Sequence, residues 1–329
     1  MTPLRCYSRK MIEKLDSIFQ LLASPYVLGQ APRGATITTY SPYTFSLKKT
    51  MLQNSFIHIS GIGKKTEQNL WRKGIKTWDM FKQPFPASLS KTTLNRLRDG
   101  LGNHPTTILD SPDYLYKTLP SNQHWRLFPR FRHTTAYIDI ETTGTHHDCT
   151  ITTIALYDGN QTLTFVNGDN LHTFPEVLKR YQLIVTYNGK SFDVPIIKNF
   201  FNIDVPQAHL DLRGILAAIG LKGGLKGCEK QLGIDRQELA GVDGYGAVLL
   251  WRDYERFKNK DVLDTLLAYN IADAVNLEPL LIHAYNRNLQ DTPFYPEKKI
   301  SQATYPQSPY SPHPTVVARV KKLLANYNR

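Results

Sequence analysis

The stretch Ala136–Thr143, AYIDIETT, decides how this chain is read: two acids, Asp139 and Glu141, stand two residues apart inside an apolar, β-branched run. Side chains on a strand alternate between faces. The two carboxylates therefore point one way while Ile138 and Ile140 point into a core on the other. Neighbouring anions repel, and they are held together only where a cation or an arginine lies between them. Taken alone, Asp-x-Glu is an ordinary strand with one solvated acidic face. The rest of the chain must decide between that strand and a site.

Outward from this stretch the pattern stays strand-like. Ala136–Glu141, Cys149–Leu156 and Thr162–Val166 predict an antiparallel meander, with Asp158-Gly159-Asn160 as its second turn. Thr173–Tyr181 reads as a helix and Gln182–Tyr187 as a buried strand, and helices dominate from there to about Asn288. Three antiparallel strands followed by alternating helix and strand point to an α/β fold, a ribonuclease H-like mixed sheet with flanking helices. That fold hosts many functions, so function has to be argued from the site.

Two further segments carry acids. YNGKSFD, Tyr187–Asp193, follows a strand and puts Asn188 and Asp193 in the loop at its C-terminal end, where open α/β sheets have their crevice. In isolation it is a turn whose Asp193 caps the next helix. DVLDTLLAYNIADAVNL, Asp261–Leu277, is helical, with Val262, Leu263, Leu266, Leu267 and Ile271 facing a core. Tyr269 and Asp273 are four apart and share a face of it. An aspartate there ordinarily sits at the solvent boundary.

Jointly and in this order, Asp-x-Glu, Asn-x-x-x-Phe-Asp and Tyr-x-x-x-Asp resemble the three exonuclease motifs of the DEDD superfamily, in its tyrosine-bearing branch. DIETTG, YNGKSFD, HLDLRG (His209–Gly214), CEKQLGIDR (Cys228–Arg236) and YNIADAVNL together resemble the YprB-type ribonuclease H-like family. The resemblance implies a two-metal phosphodiesterase with two divalent ions, Mg²⁺ or Mn²⁺, about 4 Å apart. Hard cations of this kind require oxygen ligands. Carried over by motif, Asp139, Glu141, Asp193 and Asp273 are the ligands, and Tyr269 orients or helps deprotonate the attacking water. Asn188 shapes the Asp193 loop, and Thr142, Thr143 and Gly144 leave room for the terminal nucleotide. Asp211 is better read as a helix cap than as a ligand, His146-His147-Asp148 as a polar loop between strands, and GLKGGLKG (Gly220–Gly227) as a turn between helices.

Ahead of the sheet, Phe56–Phe81 contains Gly61 and Gly63 flanking Ile62, then an amphipathic segment with Leu70 and Trp71 that Gly74 ends. This resembles the helix-hairpin-helix nucleic-acid-binding motif, although Phe56–Ser60 is short and β-branched for a first helix. Glycines let backbone approach a phosphate, and helix N-terminal amides point at it. Gly61, Gly63, Lys64 and Lys65 are the candidate contacts, independent of base sequence. The resulting organisation is an N-terminal extension over residues 1–50 with an amphipathic helix at Met11–Leu22 and a short strand near Ala35–Thr39, and a small helix-hairpin-helix-like domain over 51–100. A linker over 101–133 follows, with Trp125, Leu127 and Phe128 docked onto the next domain. The ribonuclease H-like domain spans 134–288, and a Pro- and Tyr-rich basic tail spans 289–329, a mobile linker with a short terminal helix.

A net charge of +12 over 329 residues points to a polyanionic partner. Nucleic acid is expected, DNA favoured and RNA possible. No apolar run approaches a membrane span, and Cys6, Cys149 and Cys228 form no framework, so a reducing cytoplasmic setting is expected. The leading expectation is a metal-dependent 3′-to-5′ exonuclease. Its rivals are a binding module of the same fold without turnover, and an endonuclease or ribonuclease acting on structured substrates.

Overall fold

Thr135–Thr142 forms β1, the middle strand of a five-stranded sheet ordered β3-β2-β1-β4-β5. The structure, a computed structural model, describes residues 50–82, 89–102, 109–144, 149–302 and 306–327. The helix expected at Met11–Leu22, the strand near Ala35–Thr39 and the loop His146–Asp148 lie outside the described residues. In chain order come α1 (Lys64–Arg72), α2 (Lys91–Gly102), α3 (Pro112–Thr118) and α4 (Phe128–Phe131). Next are β1, β2 (Ile151–Tyr157), β3 (Thr162–Val166), α5 (Phe174–Leu178), β4 (Leu183–Thr186), α6 (Asp193–Phe201) and β5 (Ala208–Asp211). Then follow α7 (Leu212–Ala217), α8 (Gly224–Gln231), α9 (Gly244–Phe257), α10 (Lys260–Val275), α11 (Leu277–Leu289) and α12 (Pro314–Tyr327).

The meander is antiparallel as its alternation predicts, and β4 and β5 join it in parallel. β1 is buried on both faces. Ala136, Ile138 and Ile140 meet Phe174 and Leu178 of α5 and Ile197 of α6 on one side. On the other side α10 lies across the sheet and covers the acidic face, so the solvated-strand reading fails: Glu141 is 8% exposed. α10 buries residues around its whole circumference, from Val262 to Val275, because strands, α9, α11 and α12 all pack on it. β5 was not legible as a strand. It is four residues long, and its AHLD sequence has too few apolar positions to show a period.

Parallel pairing of β1 with β4 ends at Tyr137↔Val185. Beyond that point the two strands are no longer paired, and the C-terminal half of β1 lies past the β4 ladder. The floor of the same sheet is pinned by Glu278 of α11, which accepts from Tyr137 and Tyr157 hydroxyls at 3.2 and 3.0 Å and from Arg132 at 2.7 Å.

The N-terminal unit departs from a complete hairpin. α1 is present, but the segment before Gly61 holds a 3-10 turn at Leu52–Asn54 and further turns in place of a first α-helix. β-Branched Ile57 and Ile59 lose side-chain freedom in a helix and here plug a core instead. The described residues 109–133 of the expected linker are ordered into short elements. They supply α3, a 3-10 stretch at Ser121–Leu127 and α4, and Trp125, Leu127 and Phe128 are buried in a core that runs without interruption from Met51 to Ile300.

Glu67 and Arg126 join the two parts. Both are buried, and the guanidinium donates to both carboxylate oxygens at 2.8 Å. Glu67 also accepts from the Phe56 and Ile57 amides. At the other end, α12 is no loose tail: Val316, Val317, Val320 and Leu324 pack with Leu250 and Trp251 of α9 and Leu266 of α10. Its four apolar residues at helical spacing form one stripe, and that stripe is what docks.

Candidate active site

Asp139, Glu141 and Asp273 converge. Each offers a carboxylate oxygen, and the three lie within 4.8 Å of one another. β1 supplies the first two from the side-chain row facing α10, and α10 supplies the third. Asn270, one turn before Asp273, fixes the register between strand and helix. Its amide donates to the Asp139 carboxylate at 2.7 Å and to the Asp139 carbonyl at 3.0 Å, while its own oxygen accepts from Thr153 at 3.0 Å. The sequence signal for this residue was a polar side chain beside Tyr269 in a helix with no free face.

Asp193 opens α6 beside this trio but falls outside the 4.8 Å group. Its carboxylate accepts from the Ile140 amide, which the end of the β1–β4 pairing leaves available. Burial pushes Asp193 up to about 7, opposed by its own amide and that of Ile140 and with help from Asp211 and Asp273. Burial likewise raises Asp139 well above the carboxylate range, with Asp273, Glu141 and Asp193 adding repulsion and Asn270 opposing it. Glu141 is raised by burial and by Asp273, while Lys226 and Arg236 pull it down. Four acids drawn out of water against mutual repulsion form a donor set that fits a hard divalent cation.

Two cations that sequence reasoning missed stand beside them. Arg236 is buried, clamps Glu229 through two nitrogens and pairs with Asp273. Lys226 of α8 lies 3.7 Å from the other Asp273 oxygen, contacts the Tyr269 hydroxyl and sits 4.6 Å from that ring's centroid. Both lie in GLKGGLKG or CEKQLGIDR, whose charges carry no period and come to the site only through the packing of α8. Tyr269 is 1% exposed, and burial with the charges of Asp273, Glu141 and Asp139 holds its phenol protonated. The hydroxyl accepts from the Lys226 ammonium.

The Asn188 loop is held from β5. Asp211 accepts from the Asn188, Lys190 and Arg213 amides, and so both caps α7 and ties the loop. Asn188 takes a left-handed φ of 64° and accepts from Arg213 at 2.7 Å. A Cβ on Gly189 would stand 2.2 Å from the Thr186 hydroxyl, so only glycine fits this turn. Thr142 donates to the Gly144 carbonyl at 2.6 Å, and Thr143 and Thr150 exchange two bonds, so these residues first of all shape the end of β1.

A family model of the RNase H superfamily matches residues 136–285, the span from β1 into α11. The fold is ribonuclease H-like. Among solved structures, the family B DNA polymerase from the hyperthermophilic archaeon Pyrobaculum calidifontis is similar at 17% identity and a TM-score of 0.38. The similarity covers 51% of this chain and 27% of that one, so the chain spans about a quarter of the polymerase's length. No curated protein matches.

Outside the ribonuclease H-like part, Gly61 has φ 78° and its carbonyl accepts from Arg96 of α2 at 2.9 Å. A Cβ at that position would meet the guanidinium at 2.6 Å, the end of a flexible side chain that can swing aside, so it is the positive φ that demands the glycine. Gly63 is the N-cap of α1, with open space where a side chain would stand. Lys64 and Lys65 are exposed, Lys64 within 3.8 Å of Asp291. None of the described helices is long and apolar enough to cross a membrane.

Proposed function

We propose that the chain is a metal-dependent nuclease that hydrolyses nucleic acid from the 3′ end, DNA in preference to RNA. The convergence of Asp139, Glu141 and Asp273 carries this reading. Those three, with Asp193 alongside, would hold Mg²⁺ or Mn²⁺, two ions in the full arrangement. Divalent ions in such a cluster supply charge neutralisation and Lewis acidity for in-line attack of water on a phosphodiester. Asn270 keeps the Asp139 carboxylate aimed into the acidic cluster. Lys226 and the Tyr269 hydroxyl present donors to a phosphate oxygen, and Asn188 sets the loop that carries Asp193. In the reaction the water oxygen bonds to phosphorus, the bond from phosphorus to the 3′-oxygen breaks, and the leaving oxygen takes a proton. The 51–100 unit would grip the backbone through the amides after Gly63 and through Lys64 and Lys65.

One observation favours a second reading, a nucleic-acid-binding module without turnover: Arg236 and Lys226 already neutralise Asp273. End-labelled single- and double-stranded DNA and RNA, incubated with Mg²⁺ or Mn²⁺ or with chelator, separate the two. Stepwise shortening from the 3′ end, lost with chelator and in Asp139→Asn, is the expected result. Binding without cleavage on every substrate and metal would establish the module instead.

A further inference from the structure

Beside the Gly61 turn lies a cavity of about 520 Å³, lined chiefly by His58, Ser60, Arg96, Asp99, Tyr114 and Thr118. It shares no residue with the acidic cluster. Arg96 spends one nitrogen on the Gly61 carbonyl, and its planar group borders the space. The His58 ring lies against Trp78, centroids 5.0 Å apart, which fixes one wall. Tyr114 and Thr118 are four apart on α3 and share the face turned to the cavity. Tyr116, between them on the opposite face, lies 5.4 Å from the Lys190 ammonium. Lys190 belongs to the loop that Asp211 ties and that ends in Asp193. α3 is thus a partition with the cavity on one side and the catalytic loop on the other. Its thickness is one helix diameter, about 10 Å.

We infer that this cavity takes one unstacked nucleobase of a single strand whose 3′ end lies at the acidic cluster. This inference rests on the nuclease reading for the position of that end. The lining selects a base over a bare phosphate. Asp99 repels a phosphate, whereas Asp99 as acceptor, Arg96 as donor and the Ser60 hydroxyl as either together offer what a base edge needs; the Thr118 hydroxyl donates to the Tyr114 carbonyl at 2.9 Å and adds an acceptor. Tyr114 and the Arg96 plane are surfaces on which a base stacks. The volume falls within the range of small-ligand pockets. A paired base inside a duplex presents neither its Watson–Crick edge nor its faces, so the cavity favours single-stranded or frayed ends.

The test measures binding of the full chain carrying Asp139→Asn, in chelator, so that no cleavage enters. The probes are a short fluorescent oligothymidylate and versions with one abasic residue moved stepwise from the 3′ end. One abasic position should weaken binding about tenfold, the loss of one stacked base. Adding Tyr114→Ala or the isosteric Asp99→Asn should abolish that position-specific difference, with thermal unfolding checked on each variant. Equal affinity at every abasic position, or an unchanged profile in folded Asp99→Asn, overturns the inference. The two readings fail separately: a chain that binds with the abasic signature but never cleaves keeps the cavity and loses the nuclease. A chain that cleaves without the signature does the reverse.

Discussion

Asn270 shows how much of the site depends on a residue that touches no substrate. It holds Asp139 by two bonds and is itself held by Thr153. Asn270→Ala should lower metal affinity or cleavage rate by about 10- to 100-fold, the usual effect of losing a group that orients a ligand. Titrating Mn²⁺ against activity in both proteins checks this. Asp193 governs a pH response. Burial raises its carboxyl from the ordinary 3.8 to about 7 when folded, so between those values the native state holds the extra proton. Its contribution to stability is present at low pH and is lost as pH rises through 7. Chelated protein should therefore melt at a lower temperature at pH 8 than at pH 6, and Asp193→Asn should flatten the difference; thermal melts at the two pH values decide it. At this scale the sequence was informative about carboxylates and poor about their neighbours. Asp139, Glu141 and Asp273 each read as ordinary structure by themselves and were joined only by the combined resemblance of three motifs; in the structure they do converge. Lys226 and Arg236 were not legible, because nothing in a glycine-rich turn or in CEKQLGIDR tells which way α8 will dock.

Among the elements, α10 is the part on which the site depends. Burying an entire helix circumference leaves Asp273 no solvent boundary, which is why the ordinary expectation for an aspartate on an amphipathic helix does not hold here. The amphipathic stripe read from Val262 to Ile271 was only one of several buried faces. α1 presents the opposite case. Its existence and its glycine-ended boundaries followed from the sequence, but its partner helix did not form, and the Glu67–Arg126 pair holds α1 in place. Glu67→Ala strands a buried guanidinium, and should cost about 3–5 kcal/mol. Urea unfolding of the variant against the parent measures it, and a loss below about 1 kcal/mol would mean water reaches Arg126 freely.

Taken whole, the sequence is basic while Asp139, Glu141 and Asp273 gather in one acidic cluster. Given its charge of +12, the nucleic-acid affinity that the proposed function requires should fall with salt. Lys64→Glu with Lys65→Glu should weaken binding to all sequences alike and reduce the slope of log affinity against log salt by about two. Unchanged slopes in a fluorescence titration would remove the α1 terminus from the binding surface. The division into a separate hairpin domain, linker and tail, natural from the Pro- and Ser-containing segments, gives way to a shared core because short 3-10 and helical pieces such as Ser121–Leu127 bury apolar residues without any period to announce them. That shared core fixes how far α1 and the Gly61 turn stand from the acids. If the proposed function holds, a gripping surface at constant distance from the cutting point would work as a ruler: digestion should slow once the strand is too short to span both, and should end on residual oligonucleotides of one characteristic length.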